Sequence, residues 1–108
     1  MKIPDDAIIP SEKITRYLLV PKLQDDKSKF LAQGAFTQEN PDKLLAAIRQ
    51  LNTTQEAKED GDNEYGKFYR VEGDLLGVNG RALAVITIWI QWYSDSSIRF
   101  VTLKPKKD

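Results

Sequence analysis

Any chemistry in this chain has to be done without histidine and without cysteine, since neither occurs among its 108 residues. Histidine is the side chain whose ordinary pKa lies nearest neutral pH, and cysteine would supply a thiolate nucleophile or a metal ligand. What remains is a metal-independent set of Lys, Arg, Glu, Tyr and Thr. Such a set can cleave RNA through its own 2′-hydroxyl, because that reaction needs no protein nucleophile. It needs a group to take the proton, and cations or donors to stabilise the phosphorane. In that reading Glu72 is the base, Arg70 with Lys27 or Lys29 clamps the phosphate, and Thr87 and Thr102 donate hydrogen bonds. The spacing does not demand it, and Lys27 and Lys29 read more simply as solvent-facing residues of a short helix.

Other chemistries are excluded by pattern. Gly73, Gly77 and Gly80 fall within a hairpin rather than between a strand and a helix, so no phosphate loop is present. Asp25-Asp26 and Asp60-Gly61-Asp62-Asn63-Glu64 are acidic clusters, but the second lacks the spacing and terminal bidentate Glu of a calcium loop. Ser94 to Ser97 are turn residues with no base to activate them. No metal and no cofactor is expected.

The elements that must position these residues are strands. From Arg81 to Thr102 the chain is β-branched and aromatic, around Ala82-Leu83-Ala84-Val85-Ile86-Thr87-Ile88-Trp89-Ile90-Gln91-Trp92. Side chains alternate across a strand. Ala84, Ile86, Ile88, Ile90 and Trp92 are expected to face the core, and Leu83, Val85, Thr87, Trp89 and Gln91 the other side. Asn79-Gly80 predicts a two-residue hairpin turn, which pairs Leu75 with Ala84, Val71 with Ile88, Tyr69 with Ile90 and Arg70 with Trp89. A turn at Asp95-Ser96 sets Val101 against Ile90, Leu103 against Ile88 and Thr102 against Trp89. A one-residue slip would turn one strand's core residues out to water.

The expected binding surface is therefore Phe68, Arg70, Trp89, Gln91, Phe100 and Thr102, with Arg70, Trp89 and Thr102 aligned across three strands. Exposed aromatics around an Arg characterise contact surfaces. A protein partner or self-association, through this face or a free sheet edge, fits that composition. The bland alternative is a second, minor core of Phe68, Trp89 and Phe100 beneath the N-terminal arm, with Arg70 and Glu72 paired at its rim. RNA stacking on Trp89 is a weaker fit, since 16 Lys and Arg balance 16 Asp and Glu and non-specific nucleic-acid binding is largely phosphate neutralisation.

The rest of the chain supplies helices. Residues 1–10 predict an extended arm. Ser11 caps a short helix ending near Leu19 with Pro21 as its stop, and Asp25-Asp26 open a second that Gly34 ends. Asn40-Pro41-Asp42 starts a third, striped by Leu44, Leu45, Ile48 and Leu51 and closed at Asn52. Thr53–Glu59 reads as an edge strand or as the helix tail, and Asp60–Asn63 as a loop. The expected fold is α+β: N-terminal short helices packed on one face of a three- to four-stranded antiparallel β-meander. It forms a single domain over 1–108, with an arm (1–10), a helical half (11–52) and a sheet (53–104). No stretch reads as a signal peptide or membrane span, so a cytoplasmic location and no membrane partner are expected.

Taken together, the opening Met1 to Pro10, Asp26-Lys27-Ser28-Lys29-Phe30-Leu31, Asn63-Glu64-Tyr65-Gly66, Gly77-Val78-Asn79-Gly80-Arg81, Thr87-Ile88-Trp89 and Arg99 to Pro105 resemble a family of small bacterial proteins catalogued as a domain of unknown function. More distantly, helices followed by an antiparallel meander look like the barnase, EndoU, colicin and RelE-like group of RNase toxins. That resemblance implies a Lys ahead of a Phe-bearing helix (here Lys27) and a Thr-x-Trp strand with a closing Thr (here Thr87, Trp89 and Thr102). It also implies membership of a toxin–antitoxin or other small paired system. Gly34-Ala35-Phe36 departs from the family's usual Gly-Phe, and the missing histidine departs from many such RNases.

Overall fold

Asn40-Pro41-Asp42 opens the longest helix, α2 (Pro41–Thr54), which turns Leu44, Ile48 and Leu51 inward. The computed structural model describes residues 1–20 and 27–106. Before α2 come a π-wound helix at Lys13–Leu18 and α1 (Ser28–Ala32). After it come β1 (Lys58–Asp62), β2 (Gly66–Leu76), β3 (Ala82–Trp92) and β4 (Ile98–Pro105). The strands form one antiparallel sheet in the order β1-β2-β3-β4, a meander. The protein is thus α+β, with its helices gathered on one side of the sheet.

The hairpin register differs by one residue from that expected, and this exchanges the two sides of β3. Tyr69 pairs with Trp89, Val71 with Thr87, Gly73 with Val85 and Leu75 with Leu83. The turn is the cause. Gly77 and Arg81 close the hairpin through Gly77 N–H to Arg81 O at 2.8 Å, leaving Val78-Asn79-Gly80 as a three-residue loop. Gly80 sits at φ 83°, the left-handed position that follows a type I turn in such loops. Asn79 Oδ1 accepts from Arg81 N–H at 3.1 Å, and Asn79 Nδ2 donates to Gln33 O at 3.1 Å. Hence Leu83, Val85, Thr87 and Trp89 are buried with Tyr69, Val71 and Leu75, while Ile86, Ile88 and Ile90 are half-buried and Trp92 is exposed on the far side.

β4 reaches the same core by a different device. Trp89 pairs with Phe100 and Ile88 with Thr102, so Val101 is an extra residue in the ladder. Such a bulge lets two side chains three apart point the same way. Phe100 and Leu103 are accordingly both buried, and Thr102 faces with Ile88. Trp89 meets Phe100 edge-on, ring centroids 5.3 Å apart and planes at 80°. Trp89 and Phe100 therefore belong to the main core under the helices, where Ile14, Leu18, Leu31, Phe36, Leu44 and Ile48 pack with them.

Helix ends also differ in detail. Gly34 does not supply the left-handed stop of α1; Ala35 does, at φ 65°. Ala35 N–H donates to Ala32 O at 2.9 Å and Phe36 N–H to Leu31 O at 3.2 Å, the paired bonds of a Schellman motif. Gly34 instead serves a close approach. A Cβ on Gly77 would lie 2.7 Å from Gly34 Cα, and Val78 N–H donates to Gly34 O at 2.8 Å. Asn40 turns its side chain back: Oδ1 accepts from Thr37 N–H at 2.8 Å and Nδ2 donates to Ala35 O at 3.0 Å.

The first helix takes Glu12, not Ser11, as its N-cap, and Leu19 N–H donates to Ile14 O at 3.2 Å, a five-residue step. α2 runs two residues past Asn52, and Lys58–Asp62, read in part as loop, is a strand. Pro21 as a stop, and Asp25-Asp26 as a start, lie outside the described residues.

Candidate functional site

With the helices on one side, the described elements leave most of the other side of the sheet uncovered, Lys27 and Tyr17 reaching it only at Thr102 on its β4 edge, and its rows follow from the register. Phe68, Ile90 and Arg99 form one row; Lys58, Arg70, Ile88 and Thr102 the next; Glu72, Ile86 and Lys104 the third. Asp74 and Ala84 follow, with Lys106 alongside through its N–H to Ala84 O at 2.9 Å. Neither the β3 isoleucines nor Phe68 joins the buried cluster or packs against it. A column of aliphatic side chains thus runs down the centre of the face.

At one end the column meets aromatics. Trp92 is 37% exposed, Tyr93 57% and Tyr65 62%, and the Arg99 guanidinium lies 4.5 Å from the centroid of the Trp92 ring. Trp, Tyr and Arg are the residue types that dominate interface hot spots, and a cation over an indole face is held electrostatically. At the other end Glu72 takes two weak ion pairs, with Arg70 at 3.6 Å and Lys106 at 3.7 Å. A polar cavity of about 480 Å³ opens beside them, lined in part by Gln55, Lys58, Arg70, Glu72 and Lys106.

Charge is unevenly placed. The paired positions of this face carry Lys58, Arg70, Arg99, Lys104 and Lys106 against Glu72 and Asp74, although the whole chain is neutral. At the rim, the Ser97 hydroxyl and N–H hold the Asp95 carboxyl below its ordinary value, the N–H at 2.9 Å and with Arg99 assisting. On the helix side of β2, Glu59 at 3.4 Å raises Lys67 above its ordinary value.

The residues singled out from the sequence separate into three groups. Phe68, Arg70, Glu72 and Thr102 lie on the uncovered face. Trp89, Phe100 and Thr87 do not, being buried on the helix side. There Trp89 Nε1–H donates to Thr87 Oγ1 at 3.0 Å, and Thr87 Oγ1–H donates to Val71 O at 3.4 Å, so Thr87 is a structural partner of the indole. The expected row Arg70–Trp89–Thr102 is in fact Arg70–Ile88–Thr102. Gln91 is also on the helix side, near its end, with Nε2 donating to Ser96 O at 3.3 Å.

Lys27 is brought to Thr102 across 75 residues: its Nζ donates to Thr102 Oγ1 at 2.7 Å and to the Tyr17 hydroxyl at 3.2 Å, and it lies 5.1 Å from the Tyr17 ring centroid. Arg70 and Thr102 stand two strands apart, about 10 Å, with Ile88 between. Lys29 is exposed on α1. Sequence reasoning missed Trp92, Tyr93, Tyr65, Arg99 and Tyr17. The signal was in the turn: had Val78-Asn79-Gly80 been taken as the loop, Trp92 and the isoleucines would have faced out.

The two outer edges of the sheet differ. β1 is five residues long, mostly charged and exposed throughout, a form that discourages strand addition. On β4 the arm pairs instead: Ile8 N–H donates to Ile98 O at 2.8 Å, and Phe100 N–H donates to Ile8 O at 2.8 Å. Among the described residues no three acidic side chains gather as metal ligands, and no helix is long and apolar enough to cross a membrane.

The fold and this surface define a small α+β protein with helices on one side of a four-stranded meander and an aromatic-ended opposite side that the described residues leave mostly open. The chain belongs to the family described as "Domain of unknown function (DUF6883)", whose profile matches residues 2–107. Among solved structures it is similar in fold to a chain of the "Contact-dependent growth inhibition toxin - immunity protein complex from Klebsiella pneumoniae 342". That match has a TM-score of 0.63 at 19% identity, covering 95% of this chain and 96% of that one. A comparison with the curated proteins finds no match.

Proposed function

We propose that this chain is the protein-binding member of a small paired system of the toxin–immunity kind, and that its partner docks on the uncovered sheet face. The observation that carries this is the aliphatic column Ile86, Ile88 and Ile90 left half-exposed beside Trp92 and Arg99. A chain this short gains most of its stability from apolar burial, and three isoleucines left on a bare sheet are a surface to be covered by something else. The similarity in fold to a chain of a toxin–immunity complex supports pairing with a protein. The test is a two-hybrid assay against the products of genes adjoining its own. Binding abolished by Ile88→Asp, in a variant that keeps the native circular dichroism, supports the reading. Binding indifferent to that change overturns it.

A second reading is favoured by one contact. Lys27, Tyr17 and Thr102 meet at the β4 side of the same face, which gives an RNase-like activity a cation and two hydroxyls without a metal. The Arg70–Glu72 pair would complete such a site only if the bound strand spans the face. Incubation of the purified chain with total RNA in EDTA decides it. Cleavage lost in Lys27→Met, with the fold intact, supports an enzyme; no cleavage by the native chain, with unaltered growth on expression, removes it.

A further inference from the structure

Resting on the docking reading, we infer that the segment received by this face is an acidic polypeptide: apolar side chains seated on the β3 isoleucines, flanked by Asp or Glu that meet the cations around them. The face carries five cations to two carboxylates at its paired positions, in a chain that is neutral as a whole. Glu72 is already shared between Arg70 and Lys106, and Asp95 stands 4.0 Å from Arg99 at the rim, while Lys58 and Lys104 have no ion-pair partner among the described residues. Complementary charge around an apolar centre steers encounter and rejects wrong partners.

A second copy of this chain is a poor occupant, because two such faces bring like charge together. Nucleic acid is a poorer occupant than protein for a different reason. Phosphates would satisfy the cations, but the centre of the face, Ile86, Ile88 and Ile90, offers no aromatic surface for base stacking; stacking is confined to Phe68 and the tyrosines at one end, where Trp92 already has Arg99 over its ring at 4.5 Å. An apolar polypeptide segment covers the isoleucines, and its carboxylates can reach Arg99 without displacing it from the indole.

The experiment is selection of a random dodecapeptide display library on the full chain, with the winners' affinities then measured against Ile88→Asp, Arg99→Glu and native protein. Thermal melts establish that the variants fold. Winners rich in Asp and Glu beside apolar residues are expected, binding at least tenfold more weakly to Arg99→Glu and weakening further with added salt. Winners that map to the face through Ile88→Asp but are neutral or basic overturn the acidic assignment and leave the docking reading standing. Winners indifferent to both substitutions, or none that bind, overturn both. An oligouridylate that binds more tightly than any peptide, and is lost in Arg99→Glu, replaces protein by RNA as the occupant.

Discussion

Trp89 and Ile88 are chain neighbours with opposite fates, so truncating each in turn measures the register of β3. Trp89 is fully buried, meets Phe100 edge-on at 5.3 Å and donates its indole N–H to Thr87 at 3.0 Å. Trp89→Ala removes the burial, an aromatic contact worth about 0.5–1.5 kcal/mol and a hydrogen bond worth about 1 kcal/mol. The whole loss falls at about 3–5 kcal/mol, as for large-to-small changes at buried aromatics. A domain of this size holds roughly 5–15 kcal/mol in total, so little would remain. Ile88 is half-exposed and, among the described residues, stands apart from the buried cluster; its truncation forfeits mainly strand preference, about 1 kcal/mol or less.

Urea titration followed by far-ultraviolet circular dichroism reads the difference. The Trp89→Ala midpoint should fall by about 2 M, and that of Ile88→Ala by less than half as much. Should Trp89→Ala fail to fold, Trp89→Phe keeps a ring against Phe100 and loses the N–H, and should still lose more than Ile88→Ala. If Ile88→Ala proves the costlier change, the three-residue loop and everything placed by it are wrong.

Three other outcomes follow from the same geometry. Ala35→Gly relieves a left-handed residue at φ 65° and should stabilise by about 0.5–1 kcal/mol, or roughly 3–5 °C in Tm, by calorimetry. Gly77→Ala drives a methyl to within 2.7 Å of Gly34 Cα and of Arg81 O; neither backbone can yield cheaply, so a loss of about 2 kcal/mol or more is expected in urea titration. Asp95 is held below its ordinary 3.8 by the Ser97 hydroxyl and N–H. The folded state thus favours the carboxylate, and its small contribution is full above that ordinary value and lost as pH falls through the folded one. Carbon-13 titration of the Asp95 carboxyl should show a midpoint below 3.8, and Ser97→Ala should move it upward.

The fold class was legible because its signals are local and agree. Asn40-Pro41-Asp42 and the leucine stripe announce α2, and the Asn-Gly and Ser-Asp-Ser-Ser turns divide three apolar runs into a meander. β2 was also legible on both sides, since Tyr69, Val71 and Leu75 alternate with Arg70, Glu72 and Asp74. β3 was not. Leu83, Val85, Thr87 and Trp89 are as fit for a core as Ala84, Ile86, Ile88 and Ile90, so its own pattern has no preferred side and the turn decides. Asn79-Gly80 suits a two-residue turn in its own right; what selects the longer loop is the pinning of Gly77 and Val78 against Gly34, a contact between segments more than 40 residues apart. The bulge at Val101 likewise has no composition signature. The surface expected from the sequence therefore drew partly on residues, Trp89 and Phe100, that face the core.

At Gly34 and Gly77 two stretches of main chain touch with no side chain between them. Elsewhere in a core, a substitution that enlarges one residue can be answered by shrinking its neighbour. At Gly77 that answer is closed, since a Cβ there meets only main chain, whereas one on Gly34 first meets the Leu83 and Phe36 side chains at 3.0 and 3.1 Å. Homologues that retain this hairpin loop should carry glycine at the place of Gly77, and those that lose it should be found to have lengthened or re-routed the loop, carrying β3 into the other register and exchanging which of its sides is hidden.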